Sequence, residues 1–251
     1  MIERTCPLGD AAAIAADDID AFSETFFAHV KAEHADLPYP DEAIRNYGAG
    51  LARMTGGTER LDAIGVIEVH RVTEDRVDDW LDLFDHDVFV GMPEWSACYC
   101  TEPHLFTGEP GSNLGTWRDK RATMIERFAA GTVDGYLAYV DGKAVGWVNA
   151  SVRADYALFR RGNDDDACTI GVACFAIAPP YRGHGVSKAL LDRVVADAAA
   201  RDAQWVEAYP FTGGNPSGNP DFRGPRHLYD ERGFTEVKVR AYDTVVRRPA
   251  F

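Results

Sequence analysis

The stretch Cys174-Phe-Ala-Ile-Ala-Pro-Pro-Tyr-Arg-Gly-His-Gly-Val-Ser-Lys-Ala-Leu-Leu191 decides the fold. It opens as an apolar run with the composition of a buried strand, crosses a Pro-Pro break and a basic turn with two glycines, and closes as an amphipathic helix. Val186, Leu190, Val194 and Ala198 repeat at i, i+4, i+8 and i+12, with Leu191 and Val195 beside them. A strand that feeds a glycine turn at a helix N-terminus is a common way to hold a phosphate. The first helical turn leaves backbone N–H groups without partners, and the helix dipole favours negative charge there. Gly183 and Gly185 let the backbone approach an anion with no side chain in the way. The turn is not a Walker loop, because G-x-x-x-x-G-K-[ST] does not occur. Nor is it a dinucleotide turn, because Lys188 stands where the third glycine of G-x-G-x-x-G belongs.

The spacing Arg182-x-x-Gly185-x-Ser187, with Tyr181 and Pro179 before it and Ala-Leu-Leu at 189–191 after it, resembles the R/Q-x-x-G-x-G/A signature of the GNAT acyltransferase superfamily. Some forty residues on, Leu228-Tyr-Asp-Glu-Arg-Gly-Phe234 resembles the helix end "LYexxGF" of the same superfamily. Ser187 departs from the usual Gly or Ala and is small enough to fit. Trp95-Ser-Ala-Cys98-Tyr-Cys100, the strand Val206-Glu-Ala-Tyr-Pro210 and Phe222-Arg-Gly224 resemble elements of one uncharacterised bacterial subgroup. The resemblance covers about residues 66–235. It implies an α/β fold of the α+β kind, a mixed sheet with flanking helices.

On these positions the resemblance implies that acetyl-CoA is the acyl donor. Its pantetheine arm would run beside Phe175, Ala176 and Ile177. Its pyrophosphate would sit on the amides of Arg182, Gly183, His184, Gly185, Val186 and Ser187, with the Arg182 side chain adding charge and the His184 imidazole facing solvent. Tyr229 matches the tyrosine that often protonates the departing thiolate; the other reading packs it between helix and strand with a bonded hydroxyl. Glu207 lies in an otherwise apolar strand, on one face with Tyr209 and Phe211. A carboxylate there either has a partner or has a raised pKa, both typical of sites and compatible with the catalytic base, or else it lies at a solvent-open edge. The expected activity is acetyl transfer to a primary amine of a small molecule or of an exposed peptide or protein site, by direct attack in a ternary complex. The rival is a coenzyme A-binding module without catalysis. No metal is expected in the transfer.

Composition bounds the rest. The chain has 251 residues, 46% of them hydrophobic, with no signal-peptide pattern and no apolar run of membrane-spanning length. Five unevenly spaced cysteines do not form a disulfide framework, which fits a reducing cytoplasm. The net charge is −14, and residues 1–90, with 7 basic and 20 acidic side chains, hold −13 of it. That excess argues against a nucleic-acid partner and is compatible with a cationic amine, or simply with a solvated acidic face.

Residues 1–64 read as a helical N-terminal extension and 65–251 as the acyltransferase domain, with room for a homodimer contact on the extension. Helices are expected over 9–32 and from Asp41 to about Met54, broken by Leu37-Pro-Tyr-Pro40. A strand is expected over 65–72, then a helix capped by Thr73. A helix follows over 117–130, and a hairpin turns at Asp141-Gly142. The final strands come at 167–177 and 204–211, a helix at 226–232, and then a hairpin or one bent strand. The loop 90–116 carries Cys98, Cys100 and His104, which read either as a thiol–metal site or as small buried side chains in an aromatic loop. Trp95, Tyr99 and His104 are candidates to face the acceptor. Asp164–Asp166 read as a solvated acidic loop.

Overall fold

The computed structural model describes residues 1–106, 115–163, 166–213 and 221–251. The N-terminal part begins with a hairpin, β1 (Ile2–Thr5) paired antiparallel to β2 (Ala13–Ala16). Two helices follow, α1 (Ile19–Glu33) and α2 (Asp41–Arg53). The expected helix over 9–32 is therefore corrected at its front. Residues 2–5 supply a strand partner that outweighs the helix preference of the alanine run, and Ala11 adopts a left-handed turn conformation with φ 55°. The helix starts only where Asp18 can cap it, its carboxylate accepting from the Ala21 amide at 2.8 Å. Phe22, Phe26 and Val30 of α1 close with Ile14, Ile44 and Ala52 into a small core of their own.

Arg53, at the end of α2, ties this part to the rest. It is buried, donates to the Tyr99 hydroxyl at 2.7 Å and to the Ser96 carbonyl at 3.0 Å, and lies over the Trp117 ring.

The remaining elements are β3 (Glu68–Arg71), α3 (Val77–Asp82) running into a π-helical turn (Leu83–Asp87), α4 (Glu102–Leu105) and α5 (Trp117–Ala129). Then come β4 (Gly135–Val140), β5 (Lys143–Val152), β6 (Thr169–Ile177), α6 (Val186–Ala198), β7 (Trp205–Ala208), α7 (Arg226–Asp230), β8 (Thr235–Val239) and β9 (Thr244–Pro249). Asp141 and Gly142 both take left-handed φ, 50° and 79°, as a two-residue hairpin turn requires. Thr73 caps nothing directly: its hydroxyl bonds Asp75, and a short 3₁₀ turn intervenes before α3. The chain ends in a hairpin, not one bent strand.

Seven strands form one mixed sheet in the order β3-β4-β5-β6-β7-β9-β8, in which β6–β7 is the parallel pair. Alternation along the strands gives the sheet two buried faces. Tyr136, Val148 and Val172 pack with Leu190, Leu191 and Val194 of α6. Leu137 and Trp147 face the other way, against Trp80, Phe84 and Tyr99. Helices thus cover both faces, the layered α/β arrangement expected from the sequence. No helix among the described residues is long and apolar enough to cross a membrane.

Candidate active site

The turn after β6 is built as the sequence suggests. Gly183 and Gly185 have φ of 76° and 83°, a region that side-chain-bearing residues avoid. Gly185 is the N-cap of α6 and has no side chain to satisfy the first-turn amides; the first intrahelical bond runs from the Ala189 amide to the Gly185 carbonyl. The amides of Val186, Ser187 and Lys188 therefore have no intrahelical acceptor and can serve an anion.

Two side chains depart from expectation. The Arg182 guanidinium turns back, donating to the carbonyls of Ile177 at 2.9 Å and Val88 at 3.2 Å, so it braces the strand end instead of adding charge at the turn. The His184 imidazole does not face solvent: its Nε2 bonds the Leu61 carbonyl at 2.8 Å. The Leu61 amide in turn donates to the Pro180 carbonyl. This clasp carries Arg60 onto the turn. Its guanidinium lies against Gly183, where an added Cβ would stand 3.1 Å from Cζ. Arg60 is exposed and supplies the cation that Arg182 does not; nothing in its sequence surroundings marks it.

Beside the turn the sheet opens. β6 and β7 pair only from Thr169–Trp205 to Val172–Ala208. The register of β6 against β5 then slips by one residue, Ala150 facing Val172 and Asn149 facing Cys174, which makes Ala173 a bulge. A bulge bends its strand and often sits at a site. Beyond it, Phe175 turns its amide away from β5 and donates to the Phe222 carbonyl at 2.6 Å. By alternation Phe175 and Ile177 present backbone groups to the gap, whereas Ala176 faces β5 opposite Trp147. Ala176 is thereby corrected: its backbone belongs to the ladder. The gap itself is lined by Asp221–Gly224. The Tyr229 hydroxyl, fully buried, donates to the Arg223 carbonyl at 2.5 Å, and a Cβ on Gly224 would stand 2.9 Å from that hydroxyl. Burial pushes the phenol well above its ordinary range, so it stays protonated.

Glu207 is fully buried and caged. Arg153 reaches both carboxylate oxygens at 3.1 and 3.2 Å, Arg161 donates at 2.8 Å, Arg247 at 3.0 Å and the Tyr209 hydroxyl at 2.9 Å. The structure gives it the partners expected of a carboxylate in an apolar strand. The position is no solvent edge, and both carboxylate oxygens are taken up by three guanidiniums and a hydroxyl, so the base role is corrected to a structural one. Its partners come from residues 153, 161 and 247, which no local pattern connects to 207. Asp166, buried, closes the same cage by accepting from Arg153 at 2.6 Å; Asp164 and Asp165 lie outside the described residues.

Asp221 is the carboxylate that sequence reasoning missed. It is half-buried at the head of the gap segment, accepts from the Arg223 amide at 3.2 Å and has its pKa raised by burial.

The 90–106 segment lies behind the gap. Tyr99 and Cys100 both take left-handed φ, 46° and 55°. Tyr99 is sealed between Arg53 and Asp85 and cannot face an acceptor. His104 is buried too. Its Nε2 accepts from the Asn149 amide at 2.9 Å, and its Nδ1 bonds the Asp155 carbonyl at 3.2 Å. Both ring nitrogens are engaged by protein groups, as those of a buried side chain in an aromatic loop would be. Trp95 remains a candidate, half-buried with its ring 5.9 Å from Phe222.

Residues 95–234 match the model of the Acetyltransferase (GNAT) family. No curated protein matches the chain. Among solved structures, an N-acetyltransferase from Staphylococcus aureus Mu50 is 13% identical over 74% of this chain and 100% of that one, with a TM-score of 0.46. The GNAT domain of S. lividans PAT is 16% identical over 74% and 91%, with a TM-score of 0.47. The PaiA N-acetyltransferase from Thermoplasma acidophilum, solved with coenzyme A, is 12% identical over 73% and 99%, with a TM-score of 0.45.

Proposed function

We propose, on the premise that the chain belongs to the GNAT acetyltransferase family, that it moves an acetyl group from acetyl-CoA to a primary amine of a small molecule or an exposed peptide or protein site, by direct attack within a ternary complex. The observation that carries the reading is the helix N-terminus with three unsatisfied amides, opening beside two strands that part at a bulge. The amides suit a pyrophosphate, and the gap suits an extended arm. Residues 65–251 are assigned to catalysis and 1–64 to an extension that contributes Arg60.

Acetyl-CoA supplies an activated thioester when bound. This chain's residues do the rest. The amides of 186–188 and Arg60 hold phosphate charge. The Phe175 amide, just beyond the bulge, is the donor available to a carbonyl oxygen. Tyr229, kept protonated by burial, can return a proton to a leaving thiolate. Asp221, with its raised affinity for protons, can take one from the amine. Phe222 and Arg223 carbonyls now hold the Phe175 N–H and the Tyr229 O–H, so Asp221–Gly224 has to shift as the donor enters.

Steady-state kinetics of three variants test this assignment once an amine acceptor is in hand. Tyr229→Phe should lower kcat by about 100-fold with coenzyme A affinity retained. Asp221→Asn should lower kcat/KM and remove the acid limb of its pH profile. Glu207→Gln should keep that limb. A limb lost in Glu207→Gln and kept in Asp221→Asn would reverse the two carboxylates. Equal loss of turnover and coenzyme affinity in Tyr229→Phe would remove Tyr229 from the acid role.

A further inference from the structure

Far from the acyl site in sequence, four side chains of the N-terminal part converge. They are Cys6 just after β1, Asp10 in the β1–β2 connection, His29 within α1 and His34 at its C-cap. One ligand-type atom from each lies within 4.8 Å of every other, the only such group of three or more among the described residues. His34 Nε2 and His29 Nε2 each stand 2.8 Å from Asp10 Oδ2, and Cys6 Sγ is 3.8 Å from His34 Nε2. We propose that Cys6, Asp10, His29 and His34 form a structural zinc site that staples the β1–β2 hairpin to α1.

Three observations carry it. The donor set is a thiol, two imidazoles and a carboxylate. Four such ligands make a closed tetrahedral zinc site, and the thiolate speaks against the oxygen-preferring calcium and magnesium. The geometry is convergent and not simply hydrogen-bonded. His29 Nε2 is buried and close to the carboxylate, yet makes no hydrogen bond to it or to anything else described. That atom is aimed at the space between the four groups. Zinc bonds of about 2.0–2.3 Å place tetrahedral ligands roughly 3.3–3.8 Å apart, so the two 2.8 Å pairs have to open by about half an ångström, the 3.8 Å pair already fits, and no pair has to close by more than about 1.5 Å. Lastly, Asp10 is already oriented: its other oxygen, Oδ1, accepts from the Ala12 amide at 3.1 Å, leaving Oδ2 toward the histidines.

Cys6 binds as thiolate, and its proton passes to solvent. The site is physically useful where it stands. The extension's own core is small, and a unit of this size gains much from a cross-link. The zinc takes no part in acetyl transfer, for none of its four ligands borders the turn or the gap.

The test uses the full-length chain purified without chelator. Elemental analysis should find about one zinc per chain. After chelation, titration with cobalt(II) alone should give the visible bands of a tetrahedral ion and a near-ultraviolet thiolate charge-transfer band. Cys6→Ser should abolish the charge-transfer band, and His34→Ala should weaken cobalt binding by roughly 100-fold or more. The wild-type titration stands even where a variant fails to fold. Wild-type protein without stoichiometric zinc and without the thiolate band overturns the proposal. So does undiminished cobalt affinity in a folded Cys6→Ser, His34→Ala double variant.

Discussion

His104 sits behind the gap segment with both ring nitrogens engaged, and burial pulls its pKa from 6.5 to about 3. The folded-state value lies below the unfolded one, so the unfolded chain binds the proton first. The contribution of the neutral ring is complete above pH 6.5 and is lost as pH falls toward 3. Between pH 7 and pH 5 this amounts to about 2 kcal/mol. Urea unfolding at the two pH values should show the wild type losing that much more than His104→Asn; equal losses would mean that the imidazole titrates normally. Single residues were legible where chemistry is local. Gly183, Gly185 and Tyr229 fall at the turn and beside the gap because a glycine turn and a helix end are written in adjacent positions. Glu207 was legible as a carboxylate out of place in an apolar strand, but its three arginines were not, since each arrives from a different part of the chain.

At the scale of elements, the turn and α6 were readable because a period of 3.6 and two glycines specify them within fifteen residues. The β1–β2 hairpin was not. Its alanine-rich strand has no β signature, and what makes it a strand is pairing with residues 2–5. The clasp from Arg60 and Leu61 onto the turn was equally hidden, for it joins positions 123 apart in the chain. That clasp predicts a role for the linking segment. Arg60→Ala should weaken coenzyme A binding roughly fivefold by calorimetry, an effect that shrinks with added salt, because an exposed guanidinium contributes only modestly. An unchanged Kd at low salt would confine Arg60 to holding Gly183.

Over the whole molecule, one mixed sheet with helices on both faces was legible from the alternation of strand and helix patterns, while strand order rests on the single parallel pair and the bulge that parts it. The charge asymmetry places most of the acidic excess in residues 1–90, ahead in the chain of the turn that has to attract phosphate. Donor binding depends on that turn. The most direct measurement is the shift in Tm produced by acetyl-CoA in the wild type and in Gly185→Glu, each compared with its own ligand-free protein. At a hundredfold excess over Kd, binding to the native state stabilises by about 2.7 kcal/mol, so the wild type should shift clearly. The variant, with an anion and a side chain at a left-handed N-cap, should not shift. No shift in the wild type, or an equal shift in both, would contradict a donor phosphate seated at the N-terminus of α6.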